Sequence, residues 1–112
     1  MFDYNDIPAD LRELMDKDGT NVLVISKPVG ENIPVCQKCN ATMRTLNRMN
    51  IDYSVSKTID QDEHREFVIN KIGGNAAPAV VVVDDDNNVV NAWSDFRMDT
   101  IRSIKQSALA AV

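Results

Sequence analysis

The chain has 112 residues, 44% of them hydrophobic and 26% charged, with a formal net charge of −5. That length holds one core and leaves no room for a second. The acidic balance argues against general nucleic-acid binding, and no apolar run approaches the roughly 20 residues of a membrane span.

The first residues, Met1 to Asp6, are acidic and lack the basic and apolar regions of a signal peptide, so a cytoplasmic location is expected. From Pro8 to about Lys17 the pattern predicts a short helix. Proline suits its first turn, Leu11, Leu14 and Met15 form its apolar stripe, and Gly19 suits its stop. Residues 1–20 read as an N-terminal helical extension that adds packing, and residues 21–112 as the domain proper. Val22 to Ile25 is a continuous apolar run, expected of a central strand covered on both faces. Lys27 to Val35 is a loop broken by Pro28, Gly30 and Pro34. A helix is predicted from about Gln37 to Met49, with Cys39, Met43, Leu46 and Met49 at helical spacing. Ile51, Tyr53 and Val55 alternate with polar residues, as in a half-buried strand.

Asp60 with Glu63 resembles a capping box opening a second helix, with Phe67, Val68 and Ile72 on its apolar face and Gly73-Gly74 ending it. His64 falls in its first turn and is expected at the surface. Ala79 to Val83 is a further apolar strand. Asp84 to Asn88 is a turn, and Val89 to Ala92 a short returning strand. The acidic triplet lacks the spacing of a calcium loop, so a solvated hairpin turn is the expectation. A last helix is predicted from about Met98 to Ala110, with Ile101, Ile104 and Ala108 on one face.

The only two cysteines lie in Cys36-Gln37-Lys38-Cys39, between the first strand and the helix after it. A C-x-x-C at a helix start suits thiol–disulfide exchange. The attacking species is a thiolate, and unpaired N–H groups with a partial positive charge stabilise it. Cys36 is then the accessible, acidified nucleophile, and Cys39, one turn in, resolves the mixed disulfide. A structural disulfide closing so short a loop removes little chain entropy. A zinc site needs about four ligands, and His64 is the only histidine, so no metal site is expected. Charge is uneven: residues 1–21 balance at −4, residues 22–50 at +3 and residues 51–112 at −4. The basic island around the cysteines either favours the thiolate and attracts an acidic partner, or is a solvated helix face with Arg44 and Arg48 at i, i+4. Without the first helix the element order is βαβαββα. That is an α/β chain in a thioredoxin-like arrangement, a mixed four-stranded sheet with a parallel first crossover and a final antiparallel hairpin.

Four stretches together resemble the NrdH-redoxins, glutaredoxin-like proteins with the pattern K-P-x-C-x-x-C, A-P-V and W-S-G-F-[RK]-P. They are Lys27-Pro28, Cys36 to Thr42, Ala76-Ala77-Pro78-Ala79-Val80-Val81 and Trp93-Ser94-Asp95-Phe96-Arg97. The resemblance spans about residues 21–110. It implies a dithiol oxidoreductase that binds no cofactor tightly, acts as a monomer, reduces protein disulfides, above all in ribonucleotide reductase, and is recharged by thioredoxin reductase. It implies Cys36 as the attacking thiol, Cys39 as the resolving one, and a cis Pro78 that presents backbone to the substrate. Lys27, Gln37, Lys38, Ala77, Pro78 and Trp93 to Arg97, with Ser94, Asp95 and Phe96 between, are implied to shape the substrate surface.

Three departures stand out. The loop from Lys27 to Cys36 is longer than the family's and holds a second proline. Asp95 replaces a glycine, and Met98 a proline. Ser94-Asp95 adds bulk and negative charge where ordinary glutaredoxins hold a glutathione carboxylate. The rival readings are a glutathione-dependent glutaredoxin, a thioredoxin-like binding module or thiol-bridged metal or cluster dimer, and a protein whose long loop docks a partner.

Overall fold

The run Val22–Ile25 is β1, and all four of its residues are buried. β1 is central because both its edges are used. It pairs in parallel with β2 (Ser54–Ser56) and antiparallel with β3 (Ala79–Val83), and β3 pairs antiparallel with β4 (Val89–Ser94). The sheet order is β2-β1-β3-β4. This is a computed structural model that describes residues 2–110, with residues 105–110 described as backbone only. The expected place of Ala108 on an apolar face lies outside the described side chains.

Alternation along the strands sorts the core into two layers. Val22, Val24, Val80 and Val82 meet Leu46 of α2 (Gln37–Arg48) and Ile101 and Ile104 of α4 (Met98–Ala110). Leu23, Ile25, Ala79, Val81 and Val83 meet Leu11 and Met15 of α1 (Ala9–Asp18) and Phe67 of α3 (Asp62–Phe67). Both faces are covered, so the central strands are continuously apolar rather than alternating. The predicted βαβαββα order and the antiparallel hairpin are found, preceded by α1. That first helix packs on one sheet face with Leu11 and Met15 buried, and Ile7 just before it is buried in the same layer.

Several local expectations are corrected. Pro8 is the residue before α1 rather than its first, with an extended ψ of 139°, and its carbonyl accepts from Leu11 and Arg12. In β2 the polar Ser54 is the buried residue. Its hydroxyl donates to Asp18 Oδ2 at 2.8 Å and meets Thr20 Oγ1 at 2.5 Å. The end of α1 lies over this edge strand, so the side expected to face water is covered. The Asp60–Glu63 capping box does not form. Gln61 donates its N–H to the Thr58 carbonyl in a turn that leaves Asp60 outside, and α3 begins at Asp62 without a side-chain cap. The helix then widens into a π turn, Val68–Ile72, closed by Gly73 at φ 94°. β4 runs two residues past its expected end, through Trp93 and Ser94. In the hairpin, the Asp84 carboxylate accepts N–H groups of Asp86 and Asn88, and the Asn88 bond holds its pKa below the ordinary carboxylate value.

The largest correction is His64. It is 1% exposed, not a surface residue. Its Nε2 lies 3.0 and 2.9 Å from the two carboxylate oxygens of Asp10 in α1, and its Nδ1 lies 2.6 Å from Thr58 Oγ1. A carboxylate only accepts, so Nε2 carries a proton. The ring therefore ties α1 to α3 and the β2–α3 turn. His64→Ala is expected to lower stability by about 2–4 kcal/mol through a cavity and lost bonds. Asp10→Asn, whose carboxylate is 63% exposed, should cost under about 1 kcal/mol. Urea midpoints at unchanged slope measure both. Equal losses for the two variants would show that the ring's burial is not what matters.

Candidate active site

α2 begins one residue after Cys36, which caps it. The Cys36 backbone is extended, at φ −83° and ψ 97°, and its Sγ accepts the Cys39 N–H at 3.2 Å. One of the helix's otherwise orphaned donors thus points at the sulfur. The first turn of α2 carries no acidic residue, so nothing on that turn opposes a negative sulfur. Cys36 is half-buried and Cys39 buried. The two are joined in a disulfide, with Cα atoms 5.3 Å apart. Beneath them the buried Thr42 donates its hydroxyl to the Lys38 carbonyl at 2.9 Å.

Between the cysteines, Lys38 reaches the segment that follows β4. Its Nζ lies 2.9 Å from Asp95 Oδ1. Asp95 in turn donates its backbone N–H to the Pro78 carbonyl at 2.8 Å. The Ala77–Pro78 peptide is cis, as the resemblance implied. Asp95 therefore links the dithiol turn, the proline turn and the segment after β4. Its φ is +77°, the left-handed region that favours glycine, which accounts for the glycine at this place in the resembling pattern. Its Oδ1 also accepts the Phe96 N–H at 2.7 Å. The Lys38 hydrogen bond, then the Phe96 bond, hold the Asp95 carboxyl below its ordinary pKa, and Arg97 adds to the effect. A lowered carboxyl is charged above its folded pKa and loses its partner only as the pH falls through it. Asp95 is thus charged throughout the neutral range where thiols titrate.

Ser94 pairs with Ala79 across β3 and β4, and its side chain lies against Gly74. A Cβ at Gly74 would overlap Ser94 Oγ and sit 3.0 Å from Ser94 Cβ. Gly74→Ala is expected to cost about 1–3 kcal/mol, because the Ser94 backbone is locked in the sheet. Chemical denaturation measures it, and full stability in the variant would show that β4 yields freely there.

Not every residue expected at the site is found there. Lys38, Pro78, Asp95 and Phe96 are joined by the bonds above, and Ser94 is adjacent. Gln37 and Arg97 are exposed, and Ala77 is half-buried beside the cis bond. Trp93 is a buried core residue between the sheet and α4 rather than part of the surface, and its Nε1 finds no partner among the described residues. Lys27 is exposed and forms no side-chain hydrogen bond or ion pair among the described residues. The Lys38–Asp95 pair and the Gly74–Ser94 contact have no signal in the sequence, since each joins segments far apart along the chain.

A sequence model of the glutaredoxin family matches residues 22–87. No curated protein matches the chain by sequence. Among solved structures, the NrdH-redoxin of Escherichia coli superposes with a TM-score of 0.52 at 20% identity, over 74% of this chain and 92% of that one. Thioredoxin of Fasciola hepatica gives 0.52 at 15% identity, over 88% and 91%. Both likenesses show a thioredoxin-like fold.

Proposed function

The chain belongs to the glutaredoxin family and is a thiol–disulfide oxidoreductase, and from that premise we propose that it reduces protein disulfides and draws its electrons from thioredoxin reductase rather than glutathione. Cys36 thiolate attacks one sulfur of the target disulfide. A Cys36–target bond forms, and the other target sulfur leaves as a thiolate that takes a proton. Cys39, deprotonated, then attacks Cys36 Sγ and releases the second target thiol. The products are a reduced target and the Cys36–Cys39 disulfide. A reductase returns two electrons and two protons to close the cycle.

The observation that carries the donor assignment is Asp95. It sits in the glycine conformation with its carboxylate on Lys38. A glutathione carboxylate approaching this corner meets a fixed negative charge. It also finds the nearby cation already engaged, which removes the attraction that Lys38 would otherwise exert. The E. coli NrdH-redoxin is described as a glutaredoxin-like protein with a thioredoxin-like activity profile. The W-S-x-F-R segment and the cysteine context resemble that group. On the same resemblance, a ribonucleotide reductase is the proposed target.

The test is a comparison of reductants. Reduction of Cys36–Cys39 by NADPH with thioredoxin reductase is expected to outpace reduction by NADPH, glutathione and glutathione reductase. Efficient turnover with glutathione and none with thioredoxin reductase would replace this reading with that of an ordinary glutaredoxin.

A further inference from the structure

Nine residues, Lys27 to Val35, separate β1 from Cys36. The segment carries three large apolar side chains in water: Val29 is 78% exposed, Ile33 40% and Val35 73%. Three other large apolar side chains are exposed among the described residues, and none of those adjoins Cys36 in the chain. Neither core cluster includes a residue of this loop. Its hydrogen bonds are local. Ile33 donates its N–H to the Gly30 carbonyl at 3.3 Å, with Asn32 at φ 63°, and the Ser26 hydroxyl donates to the Lys27 carbonyl. Gly30 lacks the Cβ that would crowd Ile33 Cδ1 at 3.2 Å, so the turn is closed on itself.

An apolar loop with no partner in its own fold is an interaction surface when it adjoins a reactive group. Val35 is bonded to Cys36, so their Cα atoms lie about 3.8 Å apart. Any sulfur that bonds Cys36 brings its own surroundings over Val35. Pro28 and Pro34 restrict the loop before anything binds, which lowers the ordering cost of docking. The segment from β1 through α2, residues 22–50, balances at +3, and within it Lys27, Arg44 and Arg48 are exposed and form no ion pair among the described residues, against Glu31. A small hydrophilic disulfide has nothing to place on three aliphatic side chains. A protein surface does.

We propose that Lys27–Val35 is the docking surface for the substrate protein, and that the substrate it fits carries its disulfide in an apolar patch with acidic residues at the rim. The proposal rests on the reading that the chain reduces protein disulfides. It does not depend on which reductant recharges it.

The experiment replaces Val29, Ile33 and Val35 together by serine and recharges the protein with dithiothreitol. Two substrates are compared: insulin, an acidic protein, and 2-hydroxyethyl disulfide, which is small and uncharged. The kcat/KM for insulin is expected to fall about tenfold, with 2-hydroxyethyl disulfide unchanged. The unchanged small-substrate rate also reports an intact dithiol. The wild-type insulin rate should fall as ionic strength rises, while the small-substrate rate holds. An unchanged insulin rate in the variant, or equal losses on both substrates, would overturn the docking surface alone. A salt-independent insulin rate would overturn its acidic rim. Wild-type protein that reduces 2-hydroxyethyl disulfide but not insulin would overturn the protein-substrate reading and the docking surface with it.

Discussion

Cys36→Ser is expected to abolish disulfide reduction, and Cys39→Ser to yield a protein that stalls as a mixed disulfide with its substrate. The asymmetry follows from where the helix begins. Cys36 is half-buried and its Sγ accepts a backbone N–H, whereas Cys39 is buried one turn in. An incoming sulfur reaches the first and not the second. The loss for Cys36→Ser should be on the order of 10³-fold or more, since the one thiol that remains, Cys39, is buried. Cys39→Ser should bond substrate at a near-normal rate but not release it. Mass spectrometry after a single turnover identifies which cysteine is held. Capture at Cys39 would reverse the assignment. The same geometry has a pH consequence. The Cys39 N–H and the helix end favour the anion, so in the reduced protein Cys36 should titrate below the roughly 8.5 of a free cysteine. The rate then rises with pH through that value and levels above it. Thiolate absorbance against pH measures it directly, and an unshifted Cys36 would leave the helix-end argument without effect.

Asp95→Gly is expected to raise turnover with glutathione about tenfold, while changing reduction by thioredoxin reductase little. Three things change at once. The fixed negative charge leaves, Lys38 becomes free to meet a carboxylate, and the backbone at φ +77° is relieved of a side chain it does not favour. Because glycine suits that conformation, the fold should survive the substitution. Asp95 and Lys38 are 40% and 60% exposed, so solvent screens the repulsion and the effect stays well below the dry-interior limit. Parallel assays with the two reductants separate this charge effect from a general change in reactivity. An unchanged glutathione rate would show that Asp95 does not set the donor, whatever the wild-type preference proves to be.

The parts of this protein that were legible in the sequence are those whose cause is local. A run of four or five aliphatic residues, as in Val22–Ile25 and Ala79–Val83, is read correctly because continuous apolarity already says that both faces are covered. The dithiol is read correctly because three-residue spacing at a helix start is enough to state its chemistry. Asp84 to Asn88 is read as a turn because its residues hydrogen-bond their own backbone. Errors arise where a distant segment comes to lie over a residue. His64 looks like a surface residue until α1 places Asp10 on its ring. Ser54 looks solvent-facing until Asp18 and Thr20 cover it. Trp93 looks like part of a binding surface until α4 roofs it.

Spacing and periodicity along the chain suffice for the dithiol pair and the order of elements: Cys36 before a helix, Cys39 within it, and strands apolar enough to need cover on both sides. What the dithiol meets depends on segments that are distant along the chain. Lys38, part of the basic island around the cysteines, is bound to Asp95. Asp95 in turn holds the backbone of Pro78. The reason is physical. Periodicity and spacing are properties of neighbouring residues, whereas the strength of a charge and the burial of a ring depend on what lies within a few ångströms in space. That neighbourhood exists only once the chain has closed.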